Sequence, residues 1–228
     1  MSLFNANFFD LIVHALPEGS DSVSRLALVA KKLGYSGIAI MDQENTEHKK
    51  EDNNVYLPHD FSIHYGIGIT CKPSKIRDEV GRNKGGSGLV VIKGADEETN
   101  RTALETPGVD ILLQPLQFNN VLSKIACDNS VAIGFDLGSL IFKHGEDRVN
   151  ELIIMRTNLR HARKYDVPMI LTGNSYSHYD LRSPREMAAI SGLFGMTEKE
   201  AVDAMSRVPL DIMRRKNHDY IQEGIEII

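Results

Sequence analysis

The run Val167-Pro168-Met169-Ile170-Leu171-Thr172-Gly173-Asn174-Ser175-Tyr176-Ser177-His178-Tyr179-Asp180-Leu181-Arg182-Ser183-Pro184-Arg185-Glu186-Met187-Ala188 decides the reading of the fold. Met169-Ile170-Leu171 is a short, uninterrupted apolar run, the pattern of a strand covered on both faces in a parallel sheet. A polar loop follows from Thr172 to Arg182. Ser183-Pro184-Arg185-Glu186 then opens a helix: the serine caps, the proline carries the fixed φ of a first helical position, and the glutamate closes a capping box. Strand, loop and helix in this order make one unit of a parallel α/β fold. In an α/β barrel such a loop lies at the C-terminal ends of the strands, where ligands are met. That places Asn174, His178, Arg182 and Arg185 on the functional face.

The same unit recurs upstream. Residues 9–13 read as a first strand and 20–33 as a helix, with Val23, Leu26, Ala27, Ala30 and Leu33 at helical spacing and Gly34 to end it. Residues 37–41 are the next strand, so the first forty residues form a β-α-β unit, which requires a parallel sheet. Further strands read over 64–71, 89–92, 110–113 and 131–136, and helices over 74–80, 96–104, 121–127 and 148–165. Residues 169–172 are then the seventh strand. Downstream only helices are evident, at 186–194 and 201–207, the second preceded by a capping box of Thr197 and Glu200. An eighth strand is not visible, and 225–228 is too short to decide the matter. The fold expected is a TIM-like (β/α) barrel of parallel strands, irregular where it closes. No linker rich in Pro, Gly or Ser divides it, so residues 1–228 are read as a single domain.

With 42% hydrophobic residues in 228, the chain is long enough to bury one large core. Two cysteines, Cys71 in a strand and Cys127 in a helix, suit a reduced compartment, although spacing alone does not decide against a disulfide. The apolar opening Phe8-Phe9-Asp10-Leu11-Ile12-Val13 is too short to span a membrane and lacks a basic start, so a cytoplasmic protein without membrane contact is expected. The net charge of -5 argues against a generic nucleic-acid binder. Its distribution is uneven. Lys72, Lys75, Arg77, Arg82, Lys84 and Lys93 face only Asp78 and Glu79 between residues 72 and 93. Arg156, Arg160, Arg163, Lys164, Arg182 and Arg185 face only Asp166 and Asp180 between 156 and 185. Two basic islands on an acidic body can hold a polyanion locally.

Four groups stand at strand ends: His14, Asp42, Asp136 and His178. Mixed histidine and carboxylate donors suit zinc, manganese or iron. Against a metal, barrel rims collect polar residues anyway, and no dense ligand spacing such as His-x-His occurs. Ser175, His178 and Asp180 are crowded into one loop without the elbow of a hydrolase nucleophile, so a catalytic triad is set aside. The four glycines between 81 and 88 admit a phosphate-binding loop, but a simple turn explains them as well. The charged stretch 43–54 reads as a solvated insertion.

Basic side chains make the better site candidates. Arg156, Arg160 and Arg163 recur at i, i+4 and i+7 on the long helix, with Lys164 beside them, while Leu152, Met155, Leu159 and Ala162 form the face that packs on the sheet. The stripe is either a phosphate contact or a solvated face. Arg182 and Arg185 flank a helix start, where the dipole favours an anion and guanidinium adds bidentate recognition. The competing reading pairs Arg182 with Asp180 or Glu186. Lys93 and Arg101 bracket the loop after the fourth strand, and His178 can donate a hydrogen bond nearby. Arg214, Arg215 and Lys216 form a basic cluster near the end, with no element assigned.

Asp10-Leu11-Ile12-Val13-His14, the run from Gly34 to Gln43, and Gly66-Ile67-Gly68-Ile69 resemble strand-end motifs of the polymerase and histidinol phosphatase superfamily of metal-dependent barrels. That superfamily places histidines where Ile12 and Gln43 stand, and commonly a glutamate where Gly68 stands. The framework is therefore present while three ligands are absent. Over nearly its whole length the chain is similar to the archaeal ribonuclease P component 3 family, related to the thirty-kilodalton subunit of the eukaryotic enzyme. The residues that carry this are Phe9-Asp10-Leu11, Gly34-Tyr35-Ser36-Gly37-Ile38-Ala39, Val109-Asp110-Ile111-Leu112, Val131-Ala132-Ile133-Gly134-Phe135-Asp136-Leu137 and above all Tyr179-Asp180-Leu181-Arg182-Ser183-Pro184-Arg185-Glu186. The resemblance implies a subunit of the ribonucleoprotein that removes the 5′ leader from precursor tRNA. It implies as partners the ribonuclease P RNA, other protein subunits and, through the complex, precursor tRNA. Magnesium would be used by the RNA; the chain itself would hold no cofactor, no metal and no catalytic residue. Its RNA contacts would be Arg182, Arg185, Lys93, Arg101, Arg156, Arg160, Arg163 and His178. A metal-dependent phosphoesterase of the related superfamily, built on His14, Asp42, Asp136 and His178, is the alternative.

Overall fold

The computed structural model describes residues 6–42, 60–83, 88–216, 220–222 and 225–226. Seven strands form one parallel sheet in chain order: β1 (Phe9–His14), β2 (Gly37–Asp42), β3 (Ser62–Ile69), β4 (Leu89–Lys93), β5 (Ile111–Leu113), β6 (Ala132–Asp136) and β7 (Met169–Thr172). The helices between them are α1 (Val23–Leu33), α2 (Pro73–Arg82), α3 (Glu97–Glu105), α4 (Asn120–Asp128), α5 (Leu137–Phe142) and α6 (Gly145–Lys164). After β7 come α7 (Pro184–Ser191), a 3-10 turn (Gly192–Phe194), α8 (Glu198–Met205) and α9 (Arg207–Lys216), then a short antiparallel pair, β8 (Tyr220–Gln222) with β9 (Ile225–Glu226). The sheet curls into a nearly closed, TIM-like α/β barrel. Among the described residues no eighth parallel strand completes it.

Alternation along the strands sorts the core into two layers, as a period of two requires. Leu11, Ala39, Met41, Leu89, Val91, Ile111, Leu113, Ala132 and Ile170 fill the barrel interior. Ile38, Ile40, Val90, Ile92, Leu112, Ile133, Phe135 and Leu171 face outward and pack with the helices. Gly66 leaves room inside: a Cβ there would lie 2.6 Å from Met41 Cε and 2.7 Å from Leu89 O. In β1 the register slips by one residue between Asp10 and Val13, so that His14 pairs with inward-facing Met41. This bulge turns His14 toward the barrel mouth, where an unbroken strand would have sent it outward.

Closure is made without a strand. Among the described residues β1 meets the segment after β7 at one isolated bridge, Val13 with Ser175, where His14 N–H donates to Ser175 O at 2.8 Å. Asp10 closes the rest of the seam. Its carboxylate accepts from Thr172 Oγ1 at 2.6 Å, Gly173 N–H at 3.0 Å and Ile12 N–H at 3.2 Å. Complete burial nonetheless pushes its pKa up to about 6, against those three bonds. Helix α9 supplies what a missing strand cannot: Val208 and Ile212 enter the interior cluster from the end opposite the mouth.

Both capping boxes form as read, Ser183 with Glu186 and Thr197 with Glu200. Several boundaries move. β3 begins and ends two residues earlier than the sequence suggests, which leaves Cys71 in the loop after it; both cysteines are free. Two helices were not anticipated. Asp136 is at once the last residue of β6 and the N-cap of α5, its side chain accepting from Ser139 N–H, so no polar linker separates strand from helix. Arg214, Arg215 and Lys216 are the last turn of α9. There Lys216 pairs with Asp110 at 2.8 Å and Arg215 donates to Ser130 O at 3.0 Å. The charged stretch 43–54 and part of the glycine-rich loop, 84–87, lie outside the described residues.

Candidate functional site

The C-terminal mouth of the barrel is occupied by a hydrogen-bond chain. Asn174 donates through Nδ2 to Asp136 Oδ2 at 2.9 Å, which leaves its Oδ1 to accept from His14 Nε2 at 2.9 Å. His14 Nδ1 meets Glu18 Oε2 at 3.0 Å. Asp136 Oδ1 also receives Ser139 N–H, and burial raises its pKa although both bonds work the other way. Asn174 sits in the left-handed region, φ 46°, as does Gln114 at the end of β5, φ 47°. Asparagine tolerates this conformation better than most residues, and here it sets the amide between a histidine and a carboxylate. Two buried polar atoms at the mouth lack a partner among the described residues, Gln114 Nε2 and Ser175 Oγ.

A second cluster lies beside the first. Asp21 Oδ2 accepts from His178 N–H at 2.8 Å, from Ser177 Oγ at 3.0 Å and from His178 Nδ1 at 2.8 Å. Arg25 Nη2 points at His178 Nε2 from 3.1 Å, and Arg25 Nε lies 3.3 Å from Asp21 Oδ1. A guanidinium only donates and a carboxylate only accepts, so the partners place the ring proton of His178 on Nδ1. The His178 backbone N–H, then its side chain, hold the Asp21 carboxyl down at a pKa of about 2. His178 is thus a fixed member of the join between the loops after β1 and β7.

His14, Asp136 and His178 do not gather as a ligand set. His14 reaches Asp136 only through Asn174, both its nitrogens are engaged, and His178 belongs to the Asp21 cluster. Asp42 ends β2. Among the described residues no three histidine, cysteine or carboxylate side chains converge as a metal would require. These donors do not fit the metal that the barrel superfamily implies.

The basic candidates divide by what already holds them. Arg182 donates through Nη1 to Tyr179 O at 2.7 Å and Leu181 O at 3.0 Å, so its hydrogen bonds stiffen the loop through the backbone. After the Ser183 hydrogen bonds, its charge helps hold the Glu186 carboxyl below its ordinary pKa. Arg163 makes a forked pair with Glu200, at 2.6 and 2.7 Å, and also reaches Gly195 O. Arg156 touches Leu193 O at 3.3 Å, and Arg101 lies between Glu97 and Glu105 on α3. Lys93, Arg160 and Arg185 are exposed and have no hydrogen bond or ion pair among the described residues. At the start of α7 the capping box uses Ser183 N–H and Glu186 N–H and brings its own carboxylate. Any anion there depends on the arginine side chains.

Sequence reasoning missed Asp10, Glu18, Asp21 and Arg25. A signal existed for Asp10, a lone charge inside an apolar strand run. For Asp21 none existed, since its partner lies 157 residues away.

By its fold and mouth the chain is, as a class, a TIM-like α/β barrel whose mouth is hydrogen-bonded and whose described residues gather no metal-ligand set. The family model described as RNase P subunit p30 matches residues 7–220, and the chain belongs to that family. Ribonuclease P protein component 3 of Methanococcoides burtonii is 39% identical, over 97% of this chain and 94% of its own length. The component 3 of Methanosarcina mazei is also 39% identical, over 97% and 95%. A chain in the cryo-EM structure of archaeal ribonuclease P with mature tRNA superposes with a TM-score of 0.80 at 21% identity, covering 96% of this chain and 97% of that one.

Proposed function

We propose that this chain is the p30-type protein component of a ribonuclease P, acting in the removal of the 5′ leader from precursor tRNA. It braces the catalytic RNA together with another protein subunit and contributes no reacting group. What carries this reading is the family match over residues 7–220, joined to a mouth where His14, Asn174 and Asp136 are bonded to one another. Its partners are the ribonuclease P RNA, further protein subunits and precursor tRNA through the complex. Magnesium serves the RNA. Among the described residues no helix is long and apolar enough to cross a membrane, and we place the protein in the cytoplasm, where tRNA is processed.

RNA contact is assigned to Arg182, Arg185, Lys93, Arg101, Arg156, Arg160, Arg163 and His178, with the greatest weight on the three cations that make no hydrogen bond or ion pair among the described residues. Lys93, Arg160 and Arg185 therefore make the cleanest test, because replacing Arg182 would also loosen its loop. The triple variant K93A/R160A/R185A should keep its melting temperature, since exposed unpaired cations add little stability. Its affinity for the ribonuclease P RNA should fall about tenfold or more near 0.15 M salt, and the slope of log affinity against log salt should flatten by roughly one for each phosphate contact removed. Unchanged affinity and slope would contradict the assignment.

A further inference from the structure

The loops that follow β1 and β7 form one composite surface. Ser20 N–H donates to Tyr176 O at 2.7 Å, and Asp21 gathers Ser177 and His178. At Gly19 a Cβ would lie 2.1 Å from His14 O and 2.8 Å from Tyr176 O, so the two loops touch backbone to backbone. What this surface turns to solvent is aromatic. Tyr179 is 76% exposed and Tyr176 44%, and Leu16 is a large exposed aliphatic on the same loops.

Each tyrosine is backed by an imidazole. Tyr176 lies parallel to His14, with centroids 4.0 Å apart and 4° between planes. Tyr179 leans on His178 at 3.9 Å and 38°. Both imidazoles are held by side-chain partners on each ring nitrogen. A ring supported in this way keeps a fixed orientation and offers its remaining face to solvent.

Charge on the surface is sorted by depth. Glu18 and Asp21 are largely buried and engaged with the histidines, and Asp180 accepts from Tyr176 N–H. Arg25 is 57% exposed, Arg185 is open to solvent and Arg182 is half-buried. The acids of the two loops thus lie beneath the guanidinium groups, while exposed Glu186, beside Arg185, is taken up by the capping box of α7. Fixed aromatic faces set among arginines suit a strand whose bases are free to stack and whose phosphates need cations. Within a duplex the base faces are already stacked on their neighbours.

We propose that the joined β1 and β7 loops bind unpaired nucleobases, with Tyr179 as the main stacking platform, Tyr176 as a second, and Arg25 and Arg185 meeting the flanking phosphates. This rests on the RNA-binding reading above and narrows its ligand to single-stranded segments.

The chain contains no tryptophan, so a Tyr179→Trp variant of the full chain carries a single indole. It would be titrated with an unstructured pyrimidine RNA of about twelve nucleotides and with a blunt RNA duplex of the same length. The expected result is strong quenching by the single strand and little by the duplex. Tyr179→Ala should weaken single-strand binding about tenfold, the scale of one lost base–aromatic stack, with an unchanged melting temperature. An unquenched indole together with wild-type affinity in Tyr179→Ala would overturn the proposal. If K93A/R160A/R185A still weakened RNA binding in that case, the RNA-binding reading would stand without the stacking site. Quenching by another purified ribonuclease P protein subunit and not by RNA would also overturn it, and would make the surface a protein contact.

Discussion

Asp10 shows how one residue can carry both a fold and a pH dependence. It holds β1 to β7 through Thr172 and Gly173 in a place where water does not reach. A carboxyl whose pKa rises from 3.8 to about 6 on folding binds its proton more tightly in the native state. Its contribution to stability is therefore complete below about pH 4 and is lost as pH rises through about 6. The loss is on the order of 3 kcal/mol, from the shift at 1.36 kcal/mol per unit. In D10N this slope vanishes. Urea unfolding of wild type and D10N at pH 4.5 and pH 7 should show wild type losing ground against the variant at the higher pH, whatever the other carboxylates do. A difference that stayed constant or moved the other way would contradict a buried seam that binds its proton more tightly folded than unfolded. The residue was visible in the sequence as a charge in an apolar run. Its role was not, because Thr172 and Gly173 are remote in the chain and only closure brings them together.

At the scale of elements, the β-α periodicity was legible nearly throughout. All seven parallel strands fall where apolar runs mark them, and both serine and threonine capping boxes form. The two missed helices have physical causes. α5 starts on the last residue of β6, so no turn residue announces it. α9 carries Pro209 in its first turn and ends on three cations, which reads as a tail; its apolar positions gain meaning only from the open barrel end that they fill. Ile212, fully buried there, should cost about 3 kcal/mol when replaced by alanine, from lost transfer energy and the cavity left behind. Arg214→Ala, two positions on and exposed, should change stability by less than about 0.5 kcal/mol. Denaturant midpoints of the two variants decide this. Equal effects would mean that α9 is not the plug of the barrel.

For the whole molecule, a net charge of -5 conceals an uneven distribution. Carboxylates are drawn into the seam, the mouth and the loop join, while Lys93, Arg160 and Arg185 stay free at the surface. At the mouth of the barrel His14 and Asp136 are joined through Asn174. The most direct test is reconstitution of precursor-tRNA cleavage from the ribonuclease P RNA and its protein subunits at moderate magnesium, with and without this chain. The account predicts that cleavage depends on the chain while the chain alone cuts nothing. Equal cleavage without it, or cleavage by the chain alone, would contradict the claim that it is a structural subunit.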